Sequence, residues 1–288
     1  MVEEVLAQLD PKPGKVIVDA TAGTGGHSVA ILPRLLPDGL LMALDQDEQA
    51  LAQARTRLAA FEPHVRYLHG NFRDLSGALK TLQVEAIDGL LLDLGMSSLH
   101  VDEPERGFSF LREGPLDMRM DPGQGRPASA LVNAFSEMEL AHLLRTLGEE
   151  RFAQRIARRI VAERKSQPFM TTTQLARTVT LALPPQARHG RLHAATRTFQ
   201  ALRMAVNDEL GALETLLAQA PTLLRSAGRL VILTYHSLED RLVKRAFLQG
   251  QREGRWRLLT KKPLTPGREE QTRNPRARSA KLRAVERC

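Results

Sequence analysis

Short runs rich in Val, Ile and Leu alternate with segments whose apolar residues recur at helical spacing, and this alternation most constrains the fold. The runs are "KVIVDA" (15–20), "LLMALD" (40–45), "VRYLHG" (65–70), "IDGLLLDL" (87–94) and "RLVILTYH" (229–236). Between them, "HSVAILPRLL" and "DEQALAQARTRLAAF" carry the helical period. Near-continuous apolar strands separated by helices predict an open, mostly parallel sheet covered on both faces. The alternation stops between about 103 and 196, where no convincing strand is found. There, Ser136 with Glu139 and Thr171 with Gln174 have capping-box spacing, and Phe152, Ile156 and Ile160 recur on one face, so this stretch reads as a helical insertion. The segment "FQALRMAVNDELGALETLLAQAPTLL" predicts one long helix, with Phe199, Leu202, Val206, Leu210 and Leu213 as its stripe. A turn at Gly228 then returns the chain to the sheet, and 255–261 and 280–286 are expected as closing strands.

In such sheets ligands sit beyond the carboxyl ends of the strands, where the strand order reverses. The loop "DATAGTGGHS", Asp19 to Ser28, follows the first strand. Gly23, Gly25 and Gly26 suit a backbone that turns sharply and approaches a ligand closely. Ser28 stands where a dinucleotide fingerprint has its third glycine, and no Lys-Ser/Thr pair of a phosphate loop follows. A tight strand-to-helix turn is the plain alternative. Asp45 ends the second strand, where an acid accepts both hydroxyls of a ribose. Phe72 would lie against an adenine face or pack in the core. Asp93 sits at the mouth of the fourth strand, beside the expected ligand or fixing a loop. In "YHSLEDR", His236 and Glu239 are three apart with no third ligand evident, a weak spacing for a metal site, so capping of the next helix by Ser237 is the favoured expectation.

The 288 residues include one cysteine, Cys288, which excludes an internal disulfide framework. No apolar stretch reaches the ~18–20 residues of a membrane span, and a cytoplasmic protein without a membrane partner is the expectation. The net charge of +8 is concentrated at one end, where residues 241–288 hold fifteen Lys and Arg against four Glu. A basic end on a near-neutral body suggests a polyanionic partner, nucleic acid first.

The strings "DATAGTGGHS", "ALDQDEQAL", "GNF", "LLLDLGMSS", "RGFSF", "GPLDMRMD", "TFQALRMAVNDEL", "HSLEDR" and "NPRARSAKLR" resemble the MraW family over about residues 5–287. That family comprises bacterial methyltransferases acting on the N4 amine of a cytidine in small-subunit (16S) ribosomal RNA. The resemblance implies a class I, Rossmann-like α/β sheet with an inserted all-helical domain. The core is then 1–104 and 197–288, and the insertion, 105–196, recognises substrate. It implies S-adenosyl-L-methionine as cofactor, contacted by Gly25, Gly26, His27, Asp45, Phe72 and Asp93, with Gly23 in the same loop. His100 follows "DLGMSSL" where many members have Gln, and either side chain can donate a hydrogen bond to the cofactor. Tyr235 stands where Phe is common, a minor change. Met1-Val2-Glu3 stand where the family has a longer lead containing a His and "PVL".

For transfer to a base amine, Asp93 is the first candidate to accept an N–H hydrogen bond and Asp117 the second. Phe108 or Phe110 of "RGFSF" would stack on the base, and Arg119 would hold substrate. Arg276, Arg278 and Lys281, with the helix "ERFAQRIARRIVAERK", would grip phosphates. The expected partner is small-subunit ribosomal RNA in the assembling subunit, with a homodimer left open. Two rival readings share parts of this pattern: a nicotinamide-dependent oxidoreductase, and an RNA-binding protein with a relict cofactor fold.

Overall fold

A computed structural model describes residues 1–188 and 193–288, which form two compact units: 1–95 with 210–288, and 96–209. The first opens with α1 (Val2–Leu9), β1 (Val16–Asp19), α2 (Ser28–Leu35), β2 (Leu40–Asp45), α3 (Glu48–Leu58), β3 (Val65–His69), α4 (Leu75–Thr81) and β4 (Ile87–Asp93). The chain leaves it for α5 (Ser98–Asp102), α6 (Ala128–Ala134), α7 (Glu137–Gly148), α8 (Ala153–Glu163), α9 (Thr172–Ala182), α10 (Pro185–Arg188) and α11 (Thr196–Asn207). It returns through α12 (Glu209–Leu223), β5 (Leu224–Thr234), α13 (Ser237–Arg252), β6 (Trp256–Leu258), α14 (Arg268–Arg273) and β7 (Lys281–Arg287).

The seven strands run in the order β3-β2-β1-β4-β5-β7-β6. The first five are parallel; β7 is antiparallel to β5, and β6 to β7. The chain builds outward from β1 to β3, then crosses to the other side of β1 to lay down β4. The order therefore reverses between β1 and β4, the switch point where such sheets bind ligands. Side chains alternate between two cores. Val18, Met42, Leu44, Leu90, Leu92, Leu230 and Ile232 pack on one face with Leu75 of α4, Leu213 of α12 and Phe247 of α13. Ile17, Leu41, Ala43, Leu91, Val231 and Leu233 pack on the other with Leu9 of α1 and Ile31 of α2. Two buried faces explain why the strands read as unbroken apolar runs.

The helical unit has its own core, including Leu116, Met118, Leu140, Ile156, Phe169, Leu175, Phe199 and Leu202. No named strand lies among its described residues, where an isolated bridge joins Pro115 to Thr171. It reaches beyond 105–196 on both sides, because α11 supplies Phe199 and Leu202 to this core and α5 packs on the turn at Pro104–Arg106. Ser136 and Glu139 form the expected capping box at α7. At α9 only half forms: Thr171 accepts from the Gln174 amide, while the Gln174 side chain accepts from the Met170 amide.

Three local expectations are corrected. The long helix over 199–224 is two helices, broken where Asp208 takes a left-handed conformation (φ 47°) and caps α11. Its apparent stripe serves two cores: Phe199 and Leu202 pack in the helical unit, Leu213 under the sheet. The turn at Gly228 is an irregularity within β5, which begins at Leu224 and shifts register against β4 between Ile87 and Gly89. At α13, His236 rather than Ser237 is the cap, accepting from the Glu239 amide while Glu239 accepts from the His236 amide.

Candidate functional site

The loop after β1 is held from both ends. Ser28, buried at the head of α2, donates its hydroxyl to Asp19 Oδ2 at 2.7 Å. Gly25, at φ 83°, closes a turn by donating its amide to the Ala22 carbonyl (2.8 Å), and no atom lies within 4 Å of where a Gly26 side chain would begin. Asp45, at the tip of β2, accepts from the Gly23 amide at Oδ2 (2.7 Å) and from the Asp47 amide at Oδ1 (2.9 Å). The acid expected at a ribose thus also fixes the glycine loop. Asp47 caps α3, accepting from the Gln49 and Ala50 amides.

Asp93, at the end of β4, is anchored on three sides. Its amide donates to Thr21 Oγ1 (2.6 Å), the Tyr235 hydroxyl donates to its Oδ1 (2.7 Å), and its Oδ2 lies 3.2 Å from His27 Nε2. Burial opposes a charge on His27, but the hydrogen bond and charge of Asp93 and the charge of Asp19 outweigh it and hold the imidazole above its ordinary pKa. Burial pushes Asp19 up to about 6, against the opposing pull of His27 and Ser28, with Asp93 adding to the rise. Burial, then the Asp93 charge, pushes the Tyr235 phenol far above the ordinary tyrosine range, so it acts as a neutral donor. Sequence reasoning missed Asp19, Thr21 and Tyr235. The polar run at the ends of β1 and β5 is the only signal they leave.

Two buried atoms here lack a partner, Asp19 Oδ1 and His27 Nδ1. Leaving such groups unpaired costs roughly 1–3 kcal/mol each. Asp19 Oδ1 suits a ligand ammonium, and Asp45 at the next strand tip suits ribose hydroxyls. With open space over Gly26, this donor and acceptor set fits S-adenosyl-L-methionine. Phe72 is 8% exposed and packed with the core beside Leu75, so core packing dominates over an adenine platform.

The candidates of the helical unit are engaged locally. His100 is buried, closes the cap of α5 by accepting from the Ser97 amide (3.3 Å), and stacks on Phe108 at 4.6 Å. Phe108, 7% exposed, belongs to the helical core, which corrects its expected role as a base platform. Phe110 is half-buried, stacked on His193 (4.6 Å) and edge-on to Phe199 (5.0 Å), and lines a cavity of about 250 Å³ with Thr173, Arg177 and Thr180. Arg119 grips both oxygens of Asp117, at 2.8 Å each. Burial opposes the Asp117 charge, but the Arg119 hydrogen bonds and the Arg106 charge hold its pKa below the usual carboxylate value.

In the basic end, Arg276 and Arg278 are exposed on the turn before β7. Lys281 is half-buried and bonds Asp240 (3.1 Å), which also takes Arg283 (2.7 Å). That pair joins β7 to α13 and competes with the expected role of Lys281 as a phosphate grip.

The switch point between β1 and β4, with an acid at the β2 tip and a glycine loop before α2, defines a Rossmann-like α/β protein whose crevice suits a nucleoside cofactor. Within that class the chain belongs to the MraW methylase family, whose sequence pattern matches residues 1–288. A ribosomal RNA small subunit methyltransferase H of Synechococcus sp. (strain JA-2-3B'a(2-13)) is 50% identical over 296 residues, spanning 100% of this chain and 90% of its own. The proteins of the same name from Synechocystis sp. and Acidobacterium capsulatum are 49% and 48% identical, spanning 96% and 99% of this chain and 89% and 96% of their own.

Proposed function

We propose that this chain methylates the N4 amine of a cytidine in small-subunit (16S) ribosomal RNA, with S-adenosyl-L-methionine as methyl donor. The observation that carries the reading is the Asp93 carboxylate, clamped between His27 and Tyr235 at the switch point. The cofactor supplies a methyl on a sulfonium, which is already a strong electrophile. The difficulty lies with the nucleophile, because the cytosine amine delocalises its lone pair into the ring. An acceptor fixed beside the amine favours the positive charge that builds on nitrogen, and takes the proton it must lose. Asp93 is the first candidate for that role because it ends β4 at the switch point of the sheet, whereas Asp117 lies in the helical unit, paired with the Arg119 guanidinium. The Asp45 carboxylate and the Gly23–Gly26 backbone hold the nucleoside of the donor, and Asp19 its charged amine. Holding both reactants in line supplies as much as ~7–11 kcal/mol in well-oriented systems.

The base must leave its stack to reach such a site. The exposed Arg155 and Arg158 of α8, with Arg276 and Arg278, suit RNA phosphates, which position a substrate without reading its sequence. Recognition by the helical unit, the assembling subunit as partner and a cytoplasmic location complete the reading. The test incubates the protein with labelled methyl donor and small subunits from a strain lacking the enzyme, followed by nucleoside mass spectrometry. N4-methylcytidine at one site supports the reading, whereas label at a ring carbon, on a ribose or in protein rejects it.

A further inference from the structure

We propose that the cavity beside α9 is a recognition slot for one unstacked base of the RNA substrate, a base other than the cytosine that receives the methyl. This slot rests on the function proposed above and deepens it, giving the helical unit a binding site of its own.

The cavity, about 250 Å³, is lined wholly from the helical unit. Thr173, Arg177, Thr180 and Leu181 of α9 recur three and four residues apart, so one face of the helix lines it. Phe110, from the chain before α6, and His193, from the chain before α11, complete it. Their rings are held in place by their neighbours. They stack at 4.6 Å with 22° between planes, and Phe199 meets Phe110 edge-on at 5.0 Å. His193 Nδ1 accepts from the Ala195 amide at 3.2 Å, which leaves the ring proton on Nε2 as a donor. Arg177, Leu181 and His193 are exposed, so the cavity opens to solvent.

Size, lining and charge point to a base. Sites for drug-sized ligands run to ~300–1,000 Å³, and this smaller one suits a single planar ring system. Preset aromatic rings stack on any base, because every base has a π-face. The Thr180 hydroxyl donates to the Ala176 carbonyl of its own helix (2.8 Å), so its oxygen is presented as an acceptor. Arg177 at the rim suits the attached phosphate. Among the described residues no carboxylate lines the cavity, and Glu113 meets it only by accepting the Thr173 hydroxyl at 2.9 Å. That lining suits a polyanion. It also offers no acid to take the proton of a reacting amine, so the slot holds a neighbour of the target.

The test uses the full chain and two variants. Thr180→Phe fills the cavity and removes none of its aromatic rings. Arg177→Ala removes one exposed charge. Affinity is read without cofactor, for protein-free single-stranded RNA carrying the methylated site and its neighbours. KM and kcat are then read with unmethylated small subunits. Thr180→Phe should bind the RNA ~10-fold more weakly, as the loss of one stacked base does, with kcat and cofactor Kd within ~2-fold. Arg177→Ala should make the salt slope shallower by ~0.7. When one neighbour of the target is made abasic, the original chain should bind as weakly as Thr180→Phe, and that variant should lose nothing further.

Unchanged RNA affinity in Thr180→Phe overturns the slot. So does a difference that no abasic position cancels, or one cancelled only at the target cytidine. A raised KM for subunits at unchanged affinity for protein-free RNA overturns it in favour of a protein surface of the subunit. A fall in kcat alone overturns it by moving the cavity into the transfer step. Should Thr180→Phe melt more than ~5 °C lower, Arg177→Ala decides, and a salt slope equal to the original overturns the slot. Failure of the unsubstituted protein to methylate cytidine overturns the function itself, so the two failures are told apart.

Discussion

The two units spend their polar side chains differently. In the sheet unit, Asp19, His27 and Asp93 are drawn together at the strand ends, and two of their buried atoms lack partners. In the helical unit, charged and aromatic groups are matched locally. Asp117 holds Arg119, Arg203 holds Glu209, His100 stacks on Phe108 and His193 on Phe110. A fold tolerates buried, incompletely satisfied ionisable groups where a ligand completes them. The contrast supports the proposal that the chemistry lies at the sheet ends and that the helices contribute RNA contacts.

The sharpest way to break this comparison is Asp93→Ala. Removing the fixed acceptor should lower kcat by ~10²–10³, and leaving His27 and the Tyr235 hydroxyl without their partner should lower the melting temperature by a few degrees while the fold is retained. Near-native turnover would take Asp93 out of the mechanism. The converse change is Phe169→Ala, which empties the largest fully buried side-chain site of the helical unit. It should cost ~3–5 kcal/mol in stability, as other buried Phe truncations do. Transfer to subunits should fall while calorimetric binding of the cofactor survives. Loss of cofactor binding in that variant would blur the division between the units.

A third test concerns Asp19, whose carboxyl burial pushes up to about 6. The folded protein then keeps a proton that the unfolded chain releases above its ordinary value of 3.8. Stability therefore falls as pH rises across that window, and the full cost, ~3 kcal/mol for ~2 pKa units, is present above pH 6. In cofactor-free protein, Asp19→Asn should gain stability relative to the original chain as pH rises from 4 to 7. A difference independent of pH, read by denaturant unfolding at each value, would contradict the burial argument.

The smallest effects belong to the basic end. Arg276→Ala with Arg278→Ala should weaken RNA binding. The slope of log affinity against log salt should become shallower by ~0.7 for each single-strand phosphate the arginines no longer neutralise. Lys281→Ala should leave that slope unchanged, since its partner is Asp240. A Lys281 effect equal to that of the two arginines would reverse the assignment.

The parallel core was legible because its strands are apolar on both faces, a pattern that "LLMALD" and "IDGLLLDL" carry without help from distant residues. The glycine loop and Asp45 were legible for the same reason: a short motif and a strand tip suffice. What stayed hidden depends on partners far apart in sequence. Nothing near Tyr235 announces that its hydroxyl meets Asp93, 142 residues away. The Lys281 to Asp240 pair spans 41 residues and joins a strand to a helix. The helix break at Asp208 was hidden because the apolar period continues through it, and only the left-handed backbone betrays the change of core. Phe108 and Phe110 looked like free aromatics because their partners, His100, His193 and Phe199, lie outside their own segment.

A crystal structure of the protein with S-adenosylmethionine bound tests the account most directly. It predicts the ribose hydroxyls on Asp45 beside the Gly23–Gly26 turn, and the amino group against Asp19 Oδ1, with the sulfonium facing Asp93 between the ends of β1 and β4. A donor lodged elsewhere, with Asp19 Oδ1 still unpaired, would contradict it.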